Sequence, residues 1–283
     1  MKDLRDICKN KIVITAHRGT SGGNIPCNTM AAYEIAYRQG ADMLEIDLNM
    51  SADRHLIIFH PGMEPCHLGF SGSVRRCTLT QIQDMLRYLN YDRTQTEWTL
   101  CTFDDVLEEF KDKCYINVDK FWDYPEEIAK AIKHHNMMDQ IVVKTGPSEK
   151  VFDILEQVAP EIMFLPIYNG KDNEVKTTHE ELKKRSINYI GAELVFDNED
   201  CYVGSPEFRN ILHREDRIVW GNAILYDYRV PLAGGHSDDI SLTKDPDLGW
   251  GWLADNGFDI IQTDWVLAMR QYLDETGKRF KSR

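Results

Sequence analysis

The chain has 283 residues, 42% hydrophobic and 28% charged, which suits one large globular domain or two small ones. Its formal net charge of -13 argues against a general nucleic-acid surface, and an anionic ligand would need local positive charge or a metal to be held. The charged start Met1-Lys2-Asp3-Leu4-Arg5-Asp6 leads into no apolar run of signal length and no segment approaches a membrane span, so the expectation is a soluble, cytoplasmic protein without an integral membrane segment.

The first strand is expected over Ile12 to Ala16, ending in His17-Arg18-Gly19. After a loop carrying Gly22-Gly23 and Pro26, Asn28 reads as the N-cap of a helix over Thr29 to Gln39 that Gly40 stops. The run Met43 to Leu48 then holds two carboxylates. Strand side chains alternate faces, so Glu45 and Asp47 point one way while Leu44, Ile46 and Leu48 point the other. Two like charges on one strand face repel each other, and the pair becomes favourable when a hard cation sits between them. Beyond the polar turn 49–55, a second β-rich run reaches His60. Folded back as an antiparallel pair, it places His60 within about one residue of Asp47.

From Pro61 to about Thr99 the alternation of strands and helices is interrupted, and this stretch reads as an insertion. It holds Arg75-Arg76, read as a solvated basic pair, and a helix over Thr80 to Leu89 opened by a Thr78-x-x-Gln81 capping box. The seven cysteines are odd in number and scattered without a Cys-x-x-Cys pair, so reduced thiols are expected, Cys66 and Cys77 included. A second capping box, Thr102 to Asp105, starts a helix that ends near Phe110.

The remainder is regular. Strand-like runs at Cys114 to Asp119, Ile141 to Lys144, Ile162 to Ile167, Tyr189 to Val195, Ile218 to Ala223 and Asp259 to Thr263 alternate with helical segments. The helices include Tyr124 to His134, Ser148 to Val158, Thr178 to Ser186, Ser205 to His213 and Pro246 to Asn256. With the two N-terminal runs these make eight strands, which predicts a (β/α)8 TIM barrel over residues 1–283 as one domain, with a small insertion after the hairpin of the second strand. Such a barrel works at the C-terminal ends of its strands. His17, Glu45 with Asp47, Asp119 with Lys120, Lys144, Glu193, Asn222 and Asp264 all fall there.

The ordered set His17-Arg18-Gly19, Asn28-Thr29, Gly40-Ala41-Asp42, Glu45-Ile46-Asp47 and His60 resembles the glycerophosphodiester phosphodiesterase family. The resemblance implies a metal-dependent hydrolysis of glycerophosphodiesters to glycerol phosphate and an alcohol, with the insertion covering the site. One divalent ion, Mg2+ or Ca2+, would be held by Glu45, Asp47 and Asp119, the last being the natural third oxygen ligand from another strand top. His17 and His60 fit general acid and base without an assignment of which is which, and Arg18 would hold a phosphoryl oxygen in its donor fork.

Lys144, Glu193, Trp220 and Asn222 are expected to line the substrate, although plain core packing suits Trp220 equally well. Two departures from the family pattern stand out. Where the family has a glutamate and a lysine two residues later, this chain has Asp119-Lys120-Phe121, so either a strand-end irregularity swings Lys120 inward or Lys144 supplies the charge; Lys120 is the preferred choice. The family's His-Asp is His60-Pro61 here, so any group that orients His60 must come from elsewhere. The rival readings are cleavage of a lysophospholipid or choline phospholipid, and a barrel that binds a phosphate ester without turnover.

Overall fold

The computed structural model describes residues 1–225 and 230–281. Its strands are β1 (Val13–Ala16), β2 (Met43–Met50), β3 (Leu56–Ile58), β4 (Tyr115–Asp119), β5 (Ile141–Thr145), β6 (Met163–Asn169), β7 (Gly191–Val195), β8 (Ile218–Asn222) and β9 (Ile260–Thr263). Eight of them are parallel in the order β1-β9-β8-β7-β6-β5-β4-β2, and a β1–β2 pairing closes the ring. The remaining strand, β3, folds back antiparallel on β2 with Leu48 opposite Ile58. This is the (β/α)8 TIM barrel that the alternating pattern predicts.

Alternation along each strand sorts the residues into an inward and an outward set. Ile14, Leu44, Ile46, Ile116, Val118 and Val143 point outward into the layer shared with the helices. The inward set is stacked. Its lowest layer is apolar, with Val13, Met43, Tyr115, Val142, Ile218 and Ile260 packed together and closed from below by Leu4 and Cys8 of the short helix α1 (Leu4–Cys8). Two residues further along five of these strands the inward positions turn polar and stay buried, at Thr15, Glu45, Asn117, Lys144 and Gln262; on β8, where Trp220 extends the floor, the change comes at Asn222. The apolar floor therefore seals the barrel and leaves a water-poor polar layer near its mouth.

The helices between strands follow from local signals where those signals are strong. In α2 (Met30–Gln39), Thr29 accepts a hydrogen bond from the Ala32 N–H and Gly40 closes the far end in the left-handed conformation. Asn28 is thus not the cap, a correction with a consequence for the site. Both capping boxes form, opening α3 (Leu79–Met85) and α4 (Phe103–Phe110). However, α3 stops short of Leu89, because 88–98 doubles back on itself through Tyr88 N–H to Trp98 O and Thr96 N–H to Tyr88 O. That pairing belongs to a small core of Ile57, Phe59, Leu68, Val74, Ile82 and Tyr88, on which the 61–99 stretch packs over the hairpin.

α5 (Pro125–His135), α6 (Glu149–Val158) and α8 (Pro206–Arg214) lie close to their expected places, while α7 (Val175–Leu182) sits a few residues earlier than Thr178 to Ser186. The helix expected over Pro246 to Asn256 is divided at Gly249 into a 3-10 turn, Pro246–Leu248, and α10 (Trp250–Asp255). Helices α9 (Asp238–Thr243) and α11 (Val266–Glu275) complete the ring. All seven cysteines are free thiols, as expected of reduced side chains. Arg75 is exposed, and its guanidinium also donates to Asn49 Oδ1 and Asp123 Oδ2, each at 2.8 Å, which ties the inserted stretch to the barrel.

Candidate active site at the barrel mouth

Parallel pairing of β2 with β4 sets Glu45 beside Asn117 and Asp47 beside Asp119. Oxygens of Glu45, Asp47 and Asp119 consequently come within 4.8 Å of one another, with the first two carboxylates buried and Asp119 partly so. Burial and the neighbouring Asp47 charge push the Glu45 carboxyl up to about 7. Asp119 moves the other way. Burial opposes its charge, but the Lys120 ammonium outweighs burial and holds its pKa down.

The geometry fits a hard divalent cation. All three donors are carboxylates, and Asp47 Oδ1 is buried without a hydrogen-bond partner among the described residues. A second His/Glu group, His179 with Glu180 and Glu215, is equally compact, but Lys183 already bridges its glutamates at 2.6 and 2.9 Å. A protein ammonium there occupies the cation's place.

Positively charged and imidazole groups surround the acid triad. Arg18 and Gly19 follow β1 with φ values of 56° and 78°, two successive left-handed residues. A Cβ at Gly19 would stand 2.7 Å from the Ala32 carbonyl carbon, so the turn needs glycine there. The turn brings the Arg18 N–H to Glu45 Oε2 at 3.0 Å and its Nε to Asp47 Oδ2 at 2.8 Å. His17 Nδ1 lies 2.8 Å from Asp264 Oδ1. Burial works against a charged His17 ring, yet the Asp264 bond and the Glu45 charge leave its pKa raised.

His60 enters from the hairpin, with Nε2 4.0 Å from Asp47 Oδ1 and Nδ1 2.9 Å from the Pro61 carbonyl. A backbone oxygen thus supplies the orientation that an acidic neighbour would have given. Burial lowers the His60 pKa despite Asp47.

Lys120 turns inward without a bulge. It adopts a left-handed backbone, φ 64° and ψ 20°, immediately after β4, which folds its Nζ back to 2.5 Å from Asp119 Oδ2. Lys144 is engaged elsewhere: its Nζ lies 2.7 Å from Glu193 Oε2, 3.2 Å from Gln262 Oε1 and 3.7 Å from the centre of the Trp220 ring. Glu193 Oε1 accepts from Asn222 Nδ2 at 2.6 Å, and Asn222 Oδ1 from the Trp220 indole at 3.2 Å. Trp220 is fully buried and belongs to the barrel-floor cluster, so it presents no aromatic wall to the solvent side of the mouth.

Asn28 is the site residue that a helix-start reading hides. It is buried with φ 57°, and its amide donates to Asp47 Oδ2 at 2.8 Å while its Oδ1 accepts from the Tyr33 hydroxyl at 2.8 Å. Tyr88 of the inserted stretch donates to the Asn28 carbonyl at 3.3 Å. The sequence signal was available in the Asn-Thr pair, since a cap needs only one of the two residues.

An arginine beside an acid cluster that could hold a cation, with a titratable ring on each side, has the parts needed to cleave a phosphate ester. The class that fold and site define is a barrel hydrolase of phosphoric esters. The family model described as glycerophosphoryl diester phosphodiesterase family matches residues 17–208, and the chain belongs to that family. A further model, described only as a domain of unknown function, matches residues 164–273.

Among curated relatives, the glycerophosphodiester phosphodiesterase of Caldanaerobacter subterraneus is 27% identical over 165 residues, 56% of this chain and 67% of the relative. The enzyme of the same name from Bacillus subtilis is 27% identical over 199 residues, 63% of this chain and 67% of the relative. The crystal structure of a glycerophosphoryl diester phosphodiesterase from Parabacteroides distasonis superposes with a TM-score of 0.78 at 17% identity, covering 100% of this chain and 98% of that one. An Oleispira antarctica phosphodiesterase in complex with the product sn-glycerol-3-phosphate gives 0.64 at 17% identity, with 93% and 97% covered.

Proposed function

We propose that the chain hydrolyses glycerophosphodiesters to glycerol phosphate and an alcohol with one divalent cation, Mg2+ or Ca2+, held by Glu45, Asp47 and Asp119. The observation that carries this reading is the unpartnered, buried Asp47 Oδ1 inside a three-carboxylate cluster flanked by two imidazoles. When bound, the cation neutralises charge on a phosphoryl oxygen.

The chain's own groups do the rest. Arg18, already aimed at the acid cluster, binds a phosphoryl oxygen in exchange for part of its bond to Asp47. Lys120, anchored on Asp119, adds a positive charge at the opposite side. Of the two histidines, one takes the proton from the attacking oxygen and the other gives one to the departing alkoxide. Asp264 and the Pro61 carbonyl hold each ring by one nitrogen and leave the other for that proton. Lys144, Glu193 and Asn222 form a fixed, internally paired polar layer beneath the phosphate, and Trp220 packs under them in the barrel floor.

The test is turnover of glycerophosphocholine, glycerophosphoglycerol and glycerophosphoinositol before and after exhaustive chelation, with metal content measured. Activity should vanish on chelation and return with Mg2+ or Ca2+. Full turnover by metal-free protein would refute the reading.

A further inference from the structure

A cavity of about 700 Å³ opens directly beside His17 and Arg18 and runs outward along α11. What occupies it must be attached to the phosphorus that Arg18 holds, so this inference rests on the function proposed above. The volume is far larger than a three-carbon triol needs and lies in the range of sites for larger small molecules. One jaw carries Thr20, Gln39, Cys27 and His67; the other carries Trp265 and Leu267.

Trp265 is 53% exposed and sits at the N-terminus of α11. The backbone beneath it is pinned. Its N–H donates to Thr263 Oγ1 at 2.9 Å, Thr263 Oγ1 donates to Asp238 Oδ1 at 2.7 Å, and the Asp264 N–H donates to Asp238 Oδ2 at 2.8 Å. The buried Asp238 carboxylate also accepts from the Trp250 indole at 2.7 Å, so the strand end cannot slide. A large aromatic ring kept half in water on so firm a base has the form of a platform for a ligand.

His67 faces the cavity from a π-helical turn, Glu64–Leu68, in the inserted stretch. That turn is fixed as well: the Leu89 N–H donates to the His67 carbonyl at 2.7 Å and Glu64 Oε1 accepts from the Val74 N–H at 3.1 Å. The His67 ring packs edge-on against Phe59, and its Nδ1 lies 4.0 Å from Cys27 Sγ.

The charge of the cavity selects among head groups. Among the described residues Asp264 is the only carboxylate in its lining, and His17 already holds it at 2.8 Å. With Arg18 alongside and Asp264 committed to His17, a quaternary ammonium would meet positive charge. Neutral hydroxyls fare better. Thr20 Oγ1 donates to Gln39 Oε1 at 3.0 Å, which leaves the Gln39 amide nitrogen without an acceptor among the described residues, and Gln271 lines the same cavity.

We propose that this cavity is the subsite for an uncharged polyol head group of the diester, such as an inositol or glycerol ring or chain, and that Trp265 and His67 are its specificity-determining residues. The experiment compares hydrolysis-resistant phosphonate analogues of glycerophosphoinositol and glycerophosphocholine, titrated calorimetrically into the Mg2+-loaded full chain. The inositol analogue should bind about tenfold more tightly. Trp265→Ala should erase that preference while changing the choline analogue's affinity by less than about threefold, Trp265→Phe should keep most of it, and His67→Ala should weaken it in part.

Equal or tighter binding of the choline analogue to the wild type would overturn the proposal. So would an equal loss for both analogues in Trp265→Ala, because the moiety common to both is glycerol. Turnover of the corresponding natural diesters is measured in parallel. If none is hydrolysed with either metal, the catalytic reading fails, and the binding ratio still decides the subsite.

Discussion

Two parts of the barrel mouth are built from the same materials and end in opposite states. On the β2/β4 side, Glu45, Asp47 and Asp119 crowd together faster than the protein's own cations can neutralise them, leaving Asp47 Oδ1 without a partner among the described residues. On the β5/β7/β8 side, Glu193 meets Lys144 at 2.7 Å, and Asn222, Gln262 and the Trp220 ring complete the set. In the first region three carboxylates share the Arg18 and Lys120 side chains; in the second, one acid meets one ammonium. Buried charge is therefore not by itself a sign of chemistry: Glu193 Oε2, which like Asp47 Oδ1 makes no hydrogen bond among the described residues, has an ammonium 2.7 Å away, whereas Asp47 Oδ1 has His60 Nε2 at 4.0 Å.

The largest expected effect follows from breaking the open region. Asp47→Asn should lower kcat by about a thousandfold or more with little change in Tm, since the variant removes a repulsive charge as well as a ligand. Glu193→Gln should do the reverse, keeping kcat within about tenfold while lowering stability, because Lys144 loses its counter-charge in a buried place. Steady-state kinetics and thermal melts of both variants check the contrast. A catalytic collapse in Glu193→Gln with Asp47→Asn active would reverse the roles given to the two regions.

Next in size are His17→Ala and His60→Ala, each expected to lose about a hundredfold or more in kcat with the fold retained. Near wild-type rates in either variant would remove that ring from the mechanism. The two lysines sharpen the comparison further. Lys120→Met should lower kcat/KM by about tenfold without unfolding the chain, whereas Lys144→Met should mainly reduce stability, by about 3 kcal/mol, as it leaves Glu193 uncompensated. A large kinetic loss in Lys144→Met with none in Lys120→Met would overturn that division.

The smallest expected effects belong to groups that hold others in place. Asn28→Ala should cost about tenfold in kcat and weaken metal affinity, since Asp47 Oδ2 loses its Asn28 hydrogen bond and keeps only the ion pair with Arg18. In Asp264→Asn the bond that raises the His17 pKa is replaced by a neutral one, so the His17 pKa falls and its limb of the pH–rate profile moves to lower pH. An unmoved limb would separate Asp264 from His17.

Much of this was legible in the residue pattern. Period-two alternation placed Glu45 and Asp47 on one face of β2, and that result needs no tertiary information because side chains in a strand alternate whatever surrounds them. The eight strand runs, both capping boxes and the approach of His60 to Asp47 were readable for the same reason: each depends on contacts close in sequence. Tertiary packing decided the rest. It moved the cap to Thr29 and freed Asn28 to reach Asp47, ended α3 early so that Tyr88 could be buried, and divided the helix at Gly249.

Packing also settled the two lysines by different routes. Lys120 reached Asp119 through a left-handed residue, a choice set by a single backbone position, while the partners of Lys144 come from β7, β8 and β9 and meet it only once the ring is closed. Strand and helix signals are local and additive along the chain. Which buried charge finds an internal partner depends on distances across the barrel between residues far apart in sequence, and those distances exist only after closure.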